Sequence, residues 1–93
     1  MIRSFRDAET GKIWEGRLSR KLQRNIQSRA LMKLPQLNAA GDLRDLRIPV
    51  SNHLEKLSGD RTGQWSIRIN DQWRVCFEWY AGHADDVEIC DYH

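Results

Sequence analysis

The side chains best suited to chemistry stand close together in the last stretch of this sequence. Asp91, Tyr92 and His93 follow one another in the string DVEICDYH. Each can move or hold a proton, and an imidazole titrates near neutrality, so it can act as general acid or general base. A tyrosine can also stack on a base or hydrogen-bond a phosphate. Upstream lie Arg61, Arg68 and Arg74. Guanidinium forks bind phosphate oxygens and stabilise developing negative charge. Together these groups suit a phosphodiester and a stacked base. Metal chemistry finds less support. His53, His83 and His93 show no ligand spacing, and Cys76 and Cys90 form no Cys-x-x-Cys pair. No metal and no cofactor are expected. The two cysteines fall in the last two strand-like segments, where they could be neighbours, and they read as small buried or half-buried residues.

The second half of the chain reads as strands that would position these groups. Trp65, Ile67 and Ile69 alternate with Ser66, Arg68 and Asn70, and Trp73, Val75, Phe77 and Trp79 alternate with Arg74, Cys76 and Glu78. A period of two with one apolar side predicts an antiparallel sheet buried on one face. Asn70-Asp71 predicts a tight hairpin, SGDRTG a turn, and His53 to Leu57 a first strand. By parity the open face carries Ser66, Arg68, Asn70, Arg74, Cys76 and Glu78, with Glu88, Cys90 and Tyr92. Arg68, Arg74 and Glu78 could equally form an ordinary cross-strand charge network.

The first half reads as helices that cover the apolar face. MIRSF predicts a short opening strand, and Asp7 caps a short helix to about Glu15. Leu18, Leu22, Ile26, Ala30 and Leu34, with Leu31 and Leu37 beside them, predict one apolar stripe on a helix capped by Ser19. Pro35 should end or kink it. Arg17, Arg20, Lys21, Arg24, Arg29 and Lys33 give that helix a basic side, either a solvated face or a docking surface for RNA or an acidic partner. A helical turn is expected around Asp42 to Leu46, and Pro49 then extends the chain. The predicted fold is therefore α+β: a small antiparallel sheet of about four strands, with two to three helices packed on one face.

With 93 residues, the chain is expected to form one domain, residues 1–93. Hydrophobic residues make up 40% and charged residues 30%, a globular composition and not a disordered one. The formal charge of +2 permits nucleic-acid binding without demanding it. No apolar run is long enough to span a bilayer and no secretory signal opens the chain, so a cytoplasmic protein without a membrane partner is expected.

The string LEKLSGDRTGQWSIRINDQWRVCFEW, followed by DVEICDYH, resembles the HigB-type toxins of the RelE/ParE superfamily. The resemblance runs over essentially the whole chain and is most specific from Leu54 to Trp79. It implies a RelE-like fold and the toxin of a type II toxin–antitoxin pair. It implies a metal-independent, ribosome-dependent mRNA endoribonuclease that inhibits translation and growth in the bacterial cytoplasm. It implies a cognate HigA-type antitoxin with a helix-turn-helix domain, through which alone the pair reaches operator DNA. Carried onto this chain, the family's residues fall on Asp91, Tyr92, His93 and Arg74, the expected catalytic set, and on the turn arginine Arg61. Lys56, Arg68 and His53 join Arg61 in the expected RNA-binding set by residue type and place. In such a site one group activates the 2′-hydroxyl, another protonates the leaving 5′-oxygen, and cations hold the crowded phosphate.

Two positions depart from the pattern. Glu55 stands where some relatives carry a histidine, and Ser58 stands where many carry a cation. His53 is expected on the same side of a strand as Glu55 and could replace the imidazole. Each lost electrostatic group should weaken cleavage by about tenfold to a thousandfold. Two other readings therefore stand beside the nuclease: a weakly or non-catalytic toxin that binds the ribosome or its assembly intermediates, and a ParE-like inhibitor of DNA gyrase.

Overall fold

The computed structural model describes residues 1–91, so Tyr92 and His93 of the expected catalytic set lie outside the described residues. Two α-helices, α1 (Ala8–Trp14) and α2 (Arg24–Ala39), pack on one face of a four-stranded antiparallel sheet. Its strands are β1 (Glu55–Lys56), β2 (Gln64–Arg68), β3 (Trp73–Tyr80) and β4 (His83–Asp91), in the order β1-β2-β3-β4. The expected α+β layering is present.

Alternation makes the sheet two-faced. Ile67, Val75, Phe77, Val87 and Ile89 are buried beneath Ile13 of α1 and Ile26, Ala30, Leu34 and Leu37 of α2. The β3–β4 hairpin turns through Ala81 and Gly82, with φ of 51° and 82°. Two consecutive positive φ values twist the chain in the sense that antiparallel strands need. The β2–β3 connection is longer than a two-residue turn: the Ile69 amide donates to the Trp73 carbonyl at 2.9 Å. The Asn70 carboxamide closes the loop by accepting from the Gln72 and Trp73 amides.

The opening segment lies along β4 in parallel, through bridges at Ile2–Ala84 and Phe5–Val87. It forms no continuous strand. A bulge in the β3–β4 register between Cys76 and Glu78, with Asp86 at φ 50°, interrupts the ladder beside it. Thr10 of α1 ties to the same strand: its buried hydroxyl accepts from the Ile89 amide at 3.0 Å.

The helices and the segment that follows them depart from expectation in three places. Asp7 caps α1 as its position predicts, accepting from the Thr10 amide at 3.3 Å. Ser19, however, caps nothing; α2 begins five residues later. The buried Gln27 carboxamide accounts for the delay. It accepts from the Ser19 amide and donates to the Ser19 and Leu22 carbonyls, so residues 19–22 find their partners without a helix. Leu18 is left 70% exposed, outside the stripe. The six basic residues are split as a result: Arg17, Arg20 and Lys21 lie in the connection, and Arg24, Arg29 and Lys33 on α2.

Nor does Pro35 end α2, which runs on to Ala39. Leu34 and Leu37, on either side, are both fully buried. A proline inside a helix costs about 3 kcal/mol. Burying two leucines contributes a comparable amount or more, at about 1.5–3 kcal/mol each. Asp42 opens the expected helical turn, a 3-10 turn over Leu43–Arg47, through a capping box with Asp45. The expected first strand shrinks to two residues, because His53 sits in the left-handed region at φ 44° and ends a 3-10 turn over Val50–Asn52.

Candidate active site and nucleic-acid interface

The sheet face opposite the helices has three zones. At one end, cross-strand partners Arg68 and Arg74 lie side by side. In the middle, Leu57 folds over Cys76 and Cys90 to make a small buried cluster. Beyond that cluster, Arg61 reaches from the 3-10 turn Gly59–Arg61 to Gln64 and Glu88. Parity anticipated which side chains share this face. The burial of Cys76 matches the expectation for a small cysteine, but parity did not anticipate that Ser66 would be fully buried there. Leu57 is the signal: its parity matches Glu55, so it must turn onto the otherwise polar side.

Arg74 is held from three directions. Nη1 donates to the Ser66 hydroxyl at 2.9 Å and to the His53 carbonyl at 3.3 Å, and Nη2 lies 3.3 Å from Glu55 Oε2. The Arg74 side chain is 17% exposed and that of Glu55 49%. The left-handed turn at His53 aims that carbonyl inward. The turn itself is anchored by buried Asn52, which donates to Gln36 and the Leu46 carbonyl and accepts from Lys33. A guanidinium tethered this way is oriented before any ligand arrives, and it stands beside a carboxylate able to accept a proton.

The remaining expected site residues scatter. Arg68 pairs with Asp71. Arg61 donates to Glu88 at 2.5 Å, and this contact, together with smaller contributions from Cys90 and Cys76, raises its pKa above the ordinary arginine value. The charge network weighed for Arg68, Arg74 and Glu78 thus takes other partners: Asp71 and Glu55 serve the two arginines. Lys56 has the opposite parity, and its ammonium lies 5.9 Å from the Trp65 ring centre on the helix side. His53 contributes its backbone carbonyl, and because β1 begins only at Glu55, the two-residue strand step expected between them does not exist. Asp91 pairs with Trp73 across the strands and accepts from the Gln72 carboxamide at 2.7 Å, so it shares parity with the helix side and not with Arg74. Glu55, which sequence reasoning treated as a departure, is the carboxylate at the site.

Among the described residues, no three of His, Cys, Asp and Glu are grouped as a metal would need. A groove of about 590 Å³ lies elsewhere, lined by Leu18, Arg20, Leu22 and Arg24 beside the start of α2. The arginine zone lies on the open sheet face, a surface that an extended strand of nucleic acid can lie across. No helix among the described residues is long and apolar enough to cross a membrane.

A two-helix layer on a four-stranded antiparallel sheet, with a tethered arginine on the open face, defines a RelE-like fold. The same architecture occurs in the YoeB–YefM complex from Staphylococcus aureus, with a TM-score of 0.62 at 16% identity, covering 100% of this chain and 98% of that one. The YoeB dimer from the same organism matches with a TM-score of 0.61 at 17% identity, over 99% and 97% of the two chains. Sequence similarity narrows the class. Residues 3–93 match the family described as "RelE-like toxin of type II toxin-antitoxin system HigB", and this chain belongs to that family. It is 36% identical over 85 residues to Toxin HigB-1 of Vibrio cholerae, covering 90% of each chain. It is 28% identical over 93 residues to the Endoribonuclease HigB of Proteus vulgaris, covering all of both.

Proposed function

We propose that this toxin is an endoribonuclease that cuts mRNA on the ribosome without a metal cofactor. The observation that carries the reading is the tethering of Arg74 by Ser66, the His53 carbonyl and Glu55 on the open face. The similarity to the Proteus endoribonuclease over the full length supports it. Arg74, with Arg68 beside it, holds the scissile phosphate and stabilises its added charge. Glu55 takes the 2′-hydroxyl proton, and the alkoxide attacks the neighbouring phosphorus. His93 returns a proton to the departing 5′-oxygen, and Tyr92 stacks on a base. A carboxylate favours the protonated form of an imidazole, and that is the role of Asp91 in this reading. His53 contributes through the carbonyl that holds Arg74, and Arg61, tied to Glu88, borders the RNA path. The tether also makes Glu55 a partial counter-ion to the cation it positions, so cleavage is slower than in a relative with a histidine there.

The partner that silences the toxin is a HigA-type antitoxin with a helix-turn-helix domain, which also carries the pair to operator DNA. The YoeB–YefM toxin–antitoxin complexes of the same fold support an antitoxin partner in general. The site of action is the bacterial cytoplasm, where ribosomes and mRNA are found.

The test is cleavage of mRNA on programmed ribosomes, with wild type, His93→Ala and Arg74→Ala side by side and 5′ ends mapped by primer extension. Cuts that require the ribosome and fade in both variants support the reading. Absence of cuts from a folded, still toxic wild type overturns it and turns attention to ribosome binding or DNA gyrase.

A further inference from the structure

The middle zone of the open face holds two nucleophilic side chains that the proposed chemistry does not use. Cys76 and Cys90 are both free, both buried, and packed together under Leu57. They lie on adjacent strands, in the register Arg74–Cys90 and Cys76–Glu88. They are therefore diagonal neighbours. Cys90 is also the residue opposite Arg74.

We infer that Cys76 and Cys90 form an oxidisable dithiol, a modification site whose disulfide state disarms the arginine site beside it. The reaction needs a peroxide as oxidant. The Cys76 thiol gives up its proton, the thiolate attacks one peroxide oxygen, and the O–O bond breaks. A sulfenic acid forms as the other oxygen leaves as hydroxide, which takes up that proton to become water. The Cys90 sulfur then attacks the sulfenic sulfur, the S–O bond breaks, and a second water leaves. Both sulfurs are oxidised, and one peroxide is reduced to two waters.

The surroundings favour Cys76 as the first nucleophile. The neighbouring Cys90 thiol lowers its pKa, and the charge of Arg61 helps, both against the effect of burial. The same contact with Cys76, together with burial, raises that of Cys90, which suits it to the role of resolving thiol. Cys76 is fully covered and Cys90 is 8% exposed, so attack requires Leu57 to move aside. Peroxide, close to water in size, needs only a small opening.

Geometry supplies the consequence. Diagonal residues in an antiparallel pair lie about 7–8 Å apart at Cα. A disulfide spans about 5.5–6 Å. Closing it pulls β4 along β3 by an ångström or more. The bulge between Cys76 and Glu78 is the point where the ladder already has slack. Arg74 and Asp91, flanking Cys90, ride on the strands that slide. A site that works by a fixed guanidinium loses rate when its frame shifts by that much. A bond made under such a constraint is also readily reduced, as a reversible switch requires.

The disarming half of this inference rests on the nuclease reading; the dithiol half does not. The purified full chain is treated with hydrogen peroxide, then analysed by intact mass and by non-reducing peptide mapping, and assayed on programmed ribosomes. The expected result is a loss of two hydrogens, a linked peptide joining Cys76 to Cys90, and cleavage lowered at least tenfold and restored by dithiothreitol. Cys90→Ser and Cys90→Ala should cut normally and resist peroxide inhibition. If the folded protein keeps two free thiols, or carries only added oxygen atoms, the dithiol is wrong. If the bridge forms and cleavage is unchanged, the disarming is wrong. If the reduced protein never cuts, the nuclease reading fails, and amide exchange in β3 and β4 decides the rest: altered exchange at residues 74 and 88–91 in the bridged form supports the slide, and unaltered exchange overturns it.

Discussion

Glu55 Oε2 and Arg74 Nη2 lie 3.3 Å apart on the open sheet face; the Arg74 side chain is largely covered and held by other partners as well, whereas that of Glu55 is 49% exposed. Substituting Glu55 by Gln should therefore change stability by only about 0.5 kcal/mol, the scale of an exposed ion pair. Ribosome-dependent cleavage should fall about tenfold to a thousandfold, because the site loses a proton acceptor and the arginine loses an orienting partner. Single-turnover cleavage beside a thermal melt separates the two effects. Cleavage that is unchanged in Glu55→Gln would remove Glu55 from the chemistry.

Arg61 and Glu88 behave differently. Their contact is 2.5 Å, with side chains 31% and 15% exposed, and Gln64 shares the same guanidinium nitrogen. The pair joins the 3-10 turn to β4 across the full width of the sheet face. A double-mutant cycle with Arg61→Ala and Glu88→Ala should give a coupling of about 1–2 kcal/mol by urea denaturation. A coupling near zero would mean that Arg61 is held by the turn alone and is available to a ligand.

Acid should weaken the packing of the opening segment first. The Asp85 pKa is lowered, chiefly by its hydrogen bonds from Arg3. A depressed native pKa stabilises the fold above the unfolded value, near 4 for a carboxylate, and that contribution disappears as pH falls through the native value. Glu9, lowered by Ser19 and then Lys12, acts in the same direction at the base of α1. Melting temperature should thus fall as pH drops below about 4, and Arg3→Gln should flatten part of that decline. A variant with the wild-type pH profile would refute the assignment to Asp85.

Pro35 stands exposed inside α2, with no backbone N–H to give the preceding turn. Replacing it by alanine restores that donor at the cost of some freedom in the unfolded chain. The expected net gain is about 1–2 kcal/mol, or several degrees in melting temperature for a domain of this size. A drop in melting temperature would show that the ring contributes packing that its exposure does not reveal.

What could be read beforehand follows from how local each signal is. Strand parity is local, so the faces of Ser66, Arg74, Cys76 and Glu88 were legible before any coordinates. The cap at Asp7 and the helical turn starting near Asp42 are local as well. The start of α2 was not, because it depends on Gln27 reaching back to residues 19–22, and a buried glutamine gives no periodic signal. The passage of α2 through Pro35 depends on the burial of Leu34 and Leu37 against strands far along the chain. Lys56 was expected beside the arginines by residue type alone; one step of parity puts it over Trp65 on the opposite side. His53 was expected to offer an imidazole, and the turn built by Asn52 and Lys33 makes its carbonyl the useful group. Glu55 illustrates the same limit: only the register that sets it opposite Ser66 shows that it reaches Arg74.

The two margins of the sheet carry a consequence of another kind. On one side β1 is only two residues long, and both are charged. On the other, the opening segment shields β4 through bridges at Ile2 and Phe5. A long bare margin invites strand-by-strand stacking of one copy on the next, which short charged strands and covering segments prevent. This protein therefore gives its own copies little template to grow on. Under crowding, the freshly made chain is expected to remain dispersed, and the flat face with Arg74 stays open to a different kind of molecule.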